Sequence, residues 1–502
     1  MHNRMKRSPR HKLSLAVITF LIACGTDLRS ADKASQSAAS KPNIVFLLAD
    51  DLGYGDLGCF GSPVIKSPNL DKLAADGMRL TNCYAASPNC SPARTGILTG
   101  RSPYRVGMYD YARFKPMHIP KSETTVAEIL GEVGYDTMFA GKWHCSGSFG
   151  TQPNPGDHGF DHWYAHPKNF GKDAAGFYRN GKMEKAGGWM SEVVVNEAIS
   201  WLNKRDTSKP FVTMLWFSEP HTPVLAADEF QAIYDNEESR AAAATLKFGG
   251  PHVERRAQPD KMNLYFGCVS MLDHHIGRLM SYLDEKGLRD NTMVIFTSDN
   301  GPEHRTRTAY GSPGDLRGAK GHMHEGGYRV PGIIRWPGKI KPGSKSAEPV
   351  NGTDYLPSLA ALVGGILPSD RPIDGANVFP ALLEGKKVDR KIPMMWWLWH
   401  ARGGFEVTMR HGDYKVLANM VPKPLAESGK GSKADVTTMD FIKKSELGNF
   451  ELFNLARDPN EISELSKSEP KRLDELRRMM IKLHAEIRAE GPEYDLGGGN
   501  KK

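Results

Sequence analysis

Four short apolar runs of this 502-residue chain each end in side chains able to bind or move charge. Asn43–Ala49 runs into Asp50-Asp51, and Thr292–Thr297 runs through Ser298 into Asp299-Asn300-Gly301. Tyr135–Ala140 is followed by Gly141-Lys142-Trp143-His144, and Phe211–Phe217 by Ser218-Glu219-Pro220-His221. Asp50, Asp51, Asp299 and Asn300 offer only oxygen, the donor type that a hard divalent cation takes. A thiolate or histidine-rich zinc site fits less well, because the histidines lie on other runs and no Cys-x-x-Cys occurs. Lys142, His144 and His221 supply positive charge and imidazole for an anion or a proton. Taken singly, each piece also has a plainer reading. A carboxylate after a strand can cap a turn or helix, Asp-Asn-Gly is a turn signal, and His221 beside prolines can be a rigid turn residue. Convergence favours chemistry, since ligands in open α/β sheets bind beyond the carboxyl ends of the strands.

The segment Asn89-Cys90-Ser91-Pro92-Ala93-Arg94-Thr95-Gly96-Ile97-Leu98-Thr99-Gly100-Arg101 is more specific. Ser91-Pro92 reads as a helix start. Cys90 then sits at a helix N-terminus, where the dipole and free N–H groups favour a developing anion. Cys90-Ser91-Pro92-Ala93-Arg94 resembles the Cys-x-Pro-x-Arg signature of type I sulfatases, arylsulfatase-like members of the alkaline-phosphatase-like superfamily. Thr95-Gly96 and Thr99-Gly100-Arg101 extend the match. Further blocks resemble the family in its order: Pro42 through Asp56, Gly141 through His144, Pro220-His221-Thr222-Pro223, Asp273 with Gly277, and Ser298 through Gly301. Arg317 through Gly321, Glu325-Gly326-Gly327, Glu451 through Leu455, and Asp458-Pro459 complete the series, from about residue 41 to 490.

The resemblance implies a sulfuric ester hydrolase in which a dedicated maturase oxidises Cys90 to Cα-formylglycine. Asp50, Asp51, Asp299 and Asn300 would hold one metal ion, usually calcium in this family, with the modified Cys90 also touching it. Arg94 and Lys142 would orient the hydrated aldehyde, with His144 hydrogen-bonded to it. His221 and Lys320 would grip the sulfate, one of them acting as acid to the leaving alcohol. A thiol would be the wrong nucleophile, because a thiosulfate ester could not release itself; a geminal diol can attack sulfur and then collapse. A phosphonate monoester or phosphodiester hydrolase of the same superfamily is the enzymatic alternative. A non-catalytic glycan-binding surface lipoprotein is the other, but it would need no nucleophile. Sulfated small molecules or carbohydrates are the expected substrates.

The elements that must position these residues alternate short apolar runs with amphipathic stretches, the α/β pattern. With the resemblance, the expected fold is a large mixed, mostly parallel sheet flanked by helices, with a smaller C-terminal α+β domain. The catalytic region is expected over 41–392 and an antiparallel sheet plus helix over 393–490. Met394-Met395-Trp396-Trp397-Leu398-Trp399 reads as a buried strand rather than a sugar-stacking platform, and Met409–Lys415 as a hairpin turning at Gly412-Asp413. A helix is expected over about 471–490, and a frayed tail over 491–502.

At 39% hydrophobic and 25% charged the composition is globular, which excludes disordered and fibrous classes. Arg4, Lys6, Arg7, Arg10 and Lys12 precede residue 24 without an acid among them and account for most of the +8 formal charge. No basic stripe remains for nucleic acid. That basic stretch leads into Leu13–Ala23, the pattern of a secretory signal over 1–23 and too short to span a bilayer, which needs about 20 apolar residues. The protein is therefore expected to be exported, to a periplasm or outer surface. Leu21-Ile22-Ala23-Cys24 resembles a bacterial lipobox, with a lipid anchor at Cys24 as its implication; cleavage nearer Ser30-Ala31 is the alternative. Residues 24–40 read as a linker. Six cysteines in so long a chain make no disulfide framework, with Cys59–Cys83 the one pairing left open.

Overall fold

In the computed structural model the four apolar runs are four adjacent parallel strands. They are β1 (Asn43–Asp50), β2 (Asp136–Lys142), β3 (Phe211–Pro220) and β4 (Thr292–Ser298), lying side by side in the order β4-β1-β3-β2. The structure describes residues 41–495 apart from 113–115, 251–252, 255, 257, 309 and 422–435. The expected signal segment 1–23, the linker 24–40 with Cys24, and residues 496–502 of the expected tail lie outside the described residues.

These strands are continuously apolar because helices cover both faces of the sheet. Along β1, Ile44, Phe46 and Leu48 enter one core while Val45, Leu47 and Ala49 enter the other, as the two-residue period of a strand requires. A fifth strand, His162–His166, extends the parallel block beyond β2. Antiparallel pairings enter on both sides of this block in the ten-stranded sheet. Gly332–Arg335 pairs antiparallel with β4 and is followed outward by Met78–Leu80 and the edge strand Ser344–Ser346, and Ala175–Arg179 with the edge strand Lys182–Lys185 lie at the far side. The fold is thus the expected large, mixed, mostly parallel sheet.

Helices complete the two cores. α1 (Cys90–Thr99) and α3 (Pro470–Glu490) supply one, and α2 (Met262–Glu285) the other. A four-stranded antiparallel sheet, Met394–Trp397, Val407–His411, Tyr414–Val421 and Glu446–Asn454, packs with α3 into the first core. The aromatic run is its buried first strand. Trp396 donates from Nε1 to the Ala85 carbonyl at 2.7 Å, and Trp397 stacks on Tyr104 at 4.1 Å. The hairpin turns at Gly412-Asp413, where Gly412 has φ 59°, between the paired His411 and Tyr414.

The chain from Pro42 onward forms one compact unit, so the boundary drawn at 392–393 falls between two sheets that share a core. The described start of the expected tail is docked, with Tyr109 donating to the Pro492 carbonyl at 2.6 Å and packing against Tyr494. Cys59 and Cys83 are both free, and the Cys83 thiol lies 3.6 Å from the Thr297 hydroxyl. The pairing left open is therefore not made. Among the described residues no helix is long and apolar enough to cross a membrane.

A buried charge cluster ties the small sheet to the large one. Lys415 places its Nζ 3.1 Å from Glu325 Oε1 and 2.7 Å from Glu461 Oε1, and all three side chains are 0–1% exposed. Glu325 also accepts from the Tyr84 hydroxyl at 2.7 Å and pairs with Arg329 at 3.3 Å. Replacing Lys415 by Met leaves the buried Glu461 facing Glu325 without a cation of its own, with Arg329 alone on Glu325. We expect Lys415→Met to destabilise the fold by about 3–5 kcal/mol, read as a lowered urea midpoint. A midpoint unchanged from the wild type would show that the cluster holds nothing together.

Candidate active site

The strand order places the reactive residues beside one another at the carboxyl edge of the sheet. Asp50 closes β1 and Lys142 closes β2, while Asp299-Asn300 follow β4 and His221 follows β3. Asp51 turns out of β1 with φ 65° and donates its N–H to Asp299 Oδ1 at 3.3 Å. A non-glycine residue there costs about 1–3 kcal/mol, which surrounding bonds must offset. Lys142 depends on Gly141, whose φ is 109° and whose added Cβ would lie 2.0 Å from the Trp216 carbonyl oxygen. His144 also has a positive φ, 54°, so it leaves the line of β2 rather than continuing an extended segment with Lys142.

α1 begins at Cys90, with the Asn89 side chain accepting from the Cys90 N–H at 3.0 Å. All ten of its residues are buried, although several are polar. Its hydroxyls turn back onto the helix: Thr95 donates to the Ser91 carbonyl at 2.9 Å and Thr99 to that of Thr95 at 2.8 Å. One turn on from Cys90, Arg94 is fully buried and spans three partners. It donates to Asp299 Oδ2 at 2.9 Å, to Asp50 Oδ2 at 3.2 Å and to the Lys142 carbonyl at 2.8 Å.

Lys320 arrives on a loop pinned by its own N–H to the Pro302 carbonyl at 3.0 Å and by Gly321 N–H to that of Pro88 at 2.9 Å. Its Nζ pairs with Asp51 Oδ1 and lies 3.3 Å from the Cys90 sulfur. Lys142 pairs likewise with Asp50. Three buried carboxylates therefore face three cations. Burial pushes Asp50 up, but Lys142, His221, Arg94 and Lys320 together hold it well below the usual carboxylate range. Asp299 is pushed up to about 6 by burial and by the charge of Asp50. Burial also pushes the Cys90 thiol up to about 12, against the pull of Lys142 and Lys320, so the unmodified side chain stays a neutral thiol. His144 is held well below the usual imidazole range by burial and by Lys142 and Arg94.

A cation fits this donor set. Asp50 Oδ1 and Asn300 Oδ1 are buried acceptors with no hydrogen-bond partner among the described residues. One donor atom from each of Asp50, Asp51, Cys90 and His221 lies within 4.8 Å of the others. His221 thus stands closer to the potential ligands than its expected place on the sulfate implied; its Nε2 is 3.6 Å from Asp51 Oδ2. Asp299 and Asn300 are bonded into the same cluster, Asn300 Nδ2 donating to Asp51 Oδ1 at 2.7 Å. All ten residues singled out in the sequence, Asp50, Asp51, Cys90, Arg94, Lys142, His144, His221, Asp299, Asn300 and Lys320, come together here. Glu219 does not join them: it is buried and accepts from the Ser191 N–H at 2.5 Å, at the start of the helix Met190–Leu202.

Cys90, His144, His221 and Lys320 line a cavity of about 600 Å³. Its other polar walls were not legible in the sequence: Lys168, Asn169, Glu303, Arg305, His400 and Arg402. His400 and Arg402 follow the aromatic strand, so the small sheet contributes to the cavity. The one signal was the polar break at His400-Ala401-Arg402 after six apolar residues.

The sulfatase family model matches residues 42–366. The chain is 31% identical over 491 residues to N-acetylgalactosamine-6-sulfatase of Canis lupus familiaris, covering 90% of this chain and 87% of that protein. It is 31% identical over 416 residues to steryl-sulfatase of Rattus norvegicus, covering 68% and 70%. Ps i-CgsB, solved in complex with k-i-k-neocarrahexaose, superposes with a TM-score of 0.72 at 26% identity, covering 90% of this chain and 94% of that one.

The geometry makes Arg94 the residue whose loss leaves most charge unmatched. Arg94→Leu strands Asp299 in the interior and leaves Asp50 with Lys142 alone, and we expect a loss of about 3–5 kcal/mol in chemical denaturation. A variant as stable as the wild type would refute the pairing.

Proposed function

This chain belongs to the sulfatase family and is a sulfuric ester hydrolase; from that premise we propose that it is exported and removes sulfate from carbohydrates, using formylglycine made from Cys90 and a calcium ion. The observation that carries this reading is the place of Cys90. It is the first residue of a buried helix, with its sulfur 3.3 Å from Lys320 Nζ and within 4.8 Å of donor atoms of Asp50, Asp51 and His221. Its neutral thiol is a poor nucleophile in that setting, whereas the converted and hydrated residue supplies a hydroxyl for attack and a second for release of sulfate.

Asp50, Asp51, Asp299 and Asn300, with the modified Cys90, would hold the calcium, whose chemistry when bound is to offset negative charge at the reacting oxygens. Three carboxylates and three cations nearly cancel, so a divalent ion leaves the site positive, as an anionic ester requires. Lys142 and Arg94 hold Asp50 and Asp299 in place and keep two positive charges against the helix start. Lys320 Nζ, between Asp51 and Cys90, is placed to bind a sulfuryl oxygen. His221 donates its Nδ1–H to the Thr222 carbonyl at 2.6 Å and holds Nε2 3.6 Å from Asp51. Burial lowers its pKa, so Nε2 takes up a proton only as an anionic ester binds and can then pass it to the departing alcohol. His144 Nδ1, buried without a partner among the described residues, is available to a hydroxyl of the modified residue.

The carbohydrate assignment draws on the relatives, one named for N-acetylgalactosamine 6-sulfate and one solved with a carrageenan oligosaccharide. Export draws on the basic and apolar pattern before residue 24, with Cys24 as the proposed anchor point. A maturase in the same host is the partner this reading requires.

Mass spectrometry of the proteolytic peptide carrying Cys90, from protein made in its native host, is the test. The peptide should be lighter by the difference between a thiol and an aldehyde side chain. An intact thiol in active enzyme would overturn the proposed nucleophile. Cys90→Ala should keep the wild-type unfolding midpoint while losing aryl sulfate turnover; persistent activity would have the same force. Calcium at 100 times its Kd should stabilise the protein by about 2.7 kcal/mol in thermal unfolding. Asn300→Ala should shrink that gain, and equal stabilisation of the variant would remove Asn300 from the ligand set.

A further inference from the structure

We propose that the mouth of the active-site cavity is an anion subsite, formed by Lys168 and Arg305, that takes a second fixed negative charge on the substrate. That charge is a further sulfate ester or a uronate carboxylate on the same glycan, so the inference rests on the carbohydrate reading. At the inner end of the cavity the cations are matched: Lys320 in its wall and Lys142 buried behind it each pair with a carboxylate. At the mouth they are not. Glu303 is the one carboxylate among the described residues lining the cavity, and it is outnumbered there by Arg402, Arg305 and Lys168. It pairs with Arg402 at 3.3 Å and accepts from the N–H groups of His304 at 2.9 Å and Arg305 at 2.8 Å. Arg402 in turn is tied to the Lys320 carbonyl at 2.8 Å.

Two positive charges remain over. The Arg305 side chain is 52% exposed, with its Nε 3.5 Å from Glu303, beyond a good charge-assisted bond. Lys168 is exposed and makes no ion pair among the described residues. A single sulfate ester, engaged at Cys90, answers to the inner cations; it leaves Lys168 without an anion and Arg305 sharing the one Glu303 carboxylate with Arg402. Their origins also suit an extended ligand. Arg305 follows β4 and Lys168 follows the strand His162–His166, the two outer members of the parallel block. They therefore reach the mouth from opposite flanks, where a sugar next to the reacting one would lie.

The test is competition against aryl sulfate hydrolysis by the enzyme from its native host. Three disaccharide competitors are compared: monosulfated, disulfated, and monosulfated with a uronate. The wild type should bind one or both dianionic competitors more tightly than the monoanionic one, with a preference that fades as salt rises. In Lys168→Ala/Arg305→Ala the preference should disappear, with an inhibition constant about tenfold weaker for each cation lost. Preference for the disulfated sugar alone would identify the second charge as sulfate, and for the uronate alone as carboxylate. Equal inhibition by all three sugars in the wild type would overturn the subsite, as would equal weakening of all three in the double variant. Turnover of aryl sulfate that no sugar inhibits would overturn the carbohydrate reading, and the subsite with it.

Discussion

Three carboxylates cannot share a dry interior unless something offsets them, and Asp50, Asp51 and Asp299 are all buried within one bonded cluster. The unpaired cost would be several kcal/mol per ion. The fold meets it with Arg94, Lys142 and Lys320, each brought from a different part of the chain. Arg94 comes on a helix that must be buried on all sides to reach the carboxylates, so its hydroxyls bond back to their own backbone. Lys142 requires a glycine before it, because the backbone of β3 runs too close for any side chain. The same crowding that makes the cluster costly leaves Asp50 Oδ1 and Asn300 Oδ1 without hydrogen bonds from the described residues, ready to face a cation.

The Lys320 loop extends this dependence to the C-terminal sheet. Gly326 N–H bonds to the Arg317 carbonyl at 2.7 Å, and Gly301 N–H to that of Gly327 at 2.9 Å. The loop bearing Lys320 thus leans on Glu325-Gly326-Gly327, and Glu325 is held by Lys415 from the small sheet. Glu461, beyond the last strand, completes the clasp through the Glu325 N–H at 2.7 Å. Sequence blocks far from Cys90 therefore act on its surroundings through buried charge pairs and close backbone contacts. The same sheet places His400 and Arg402 in the cavity wall. It both braces the reacting groups and shapes what reaches them.

By itself the sequence determined the parallel strands, the residues at their ends, and the helix start at Cys90, the residue that we propose as the nucleophile. Continuous apolar runs admit few readings when each stops at reactive side chains, and Cys90 through Arg94 is a contiguous pattern read within one helix turn. The hairpin at Gly412-Asp413 and the helix from Pro470 were legible for the same reason, since their signals are local. Tertiary structure alone decided that β4, β1, β3 and β2 would be neighbours, that Arg94 would bridge Asp50 and Asp299, and that Glu219 would cap a helix. It also decided the cavity walls. Lys168, Glu303 and Arg305 stand in irregular segments with no periodicity, and a single charged residue there has the same sequence signature as a solvated one. Lys415 and Glu325 are 90 residues apart. Charge pairing over such separations depends on how sheets and loops pack, and hydrophobic patterning carries no record of it.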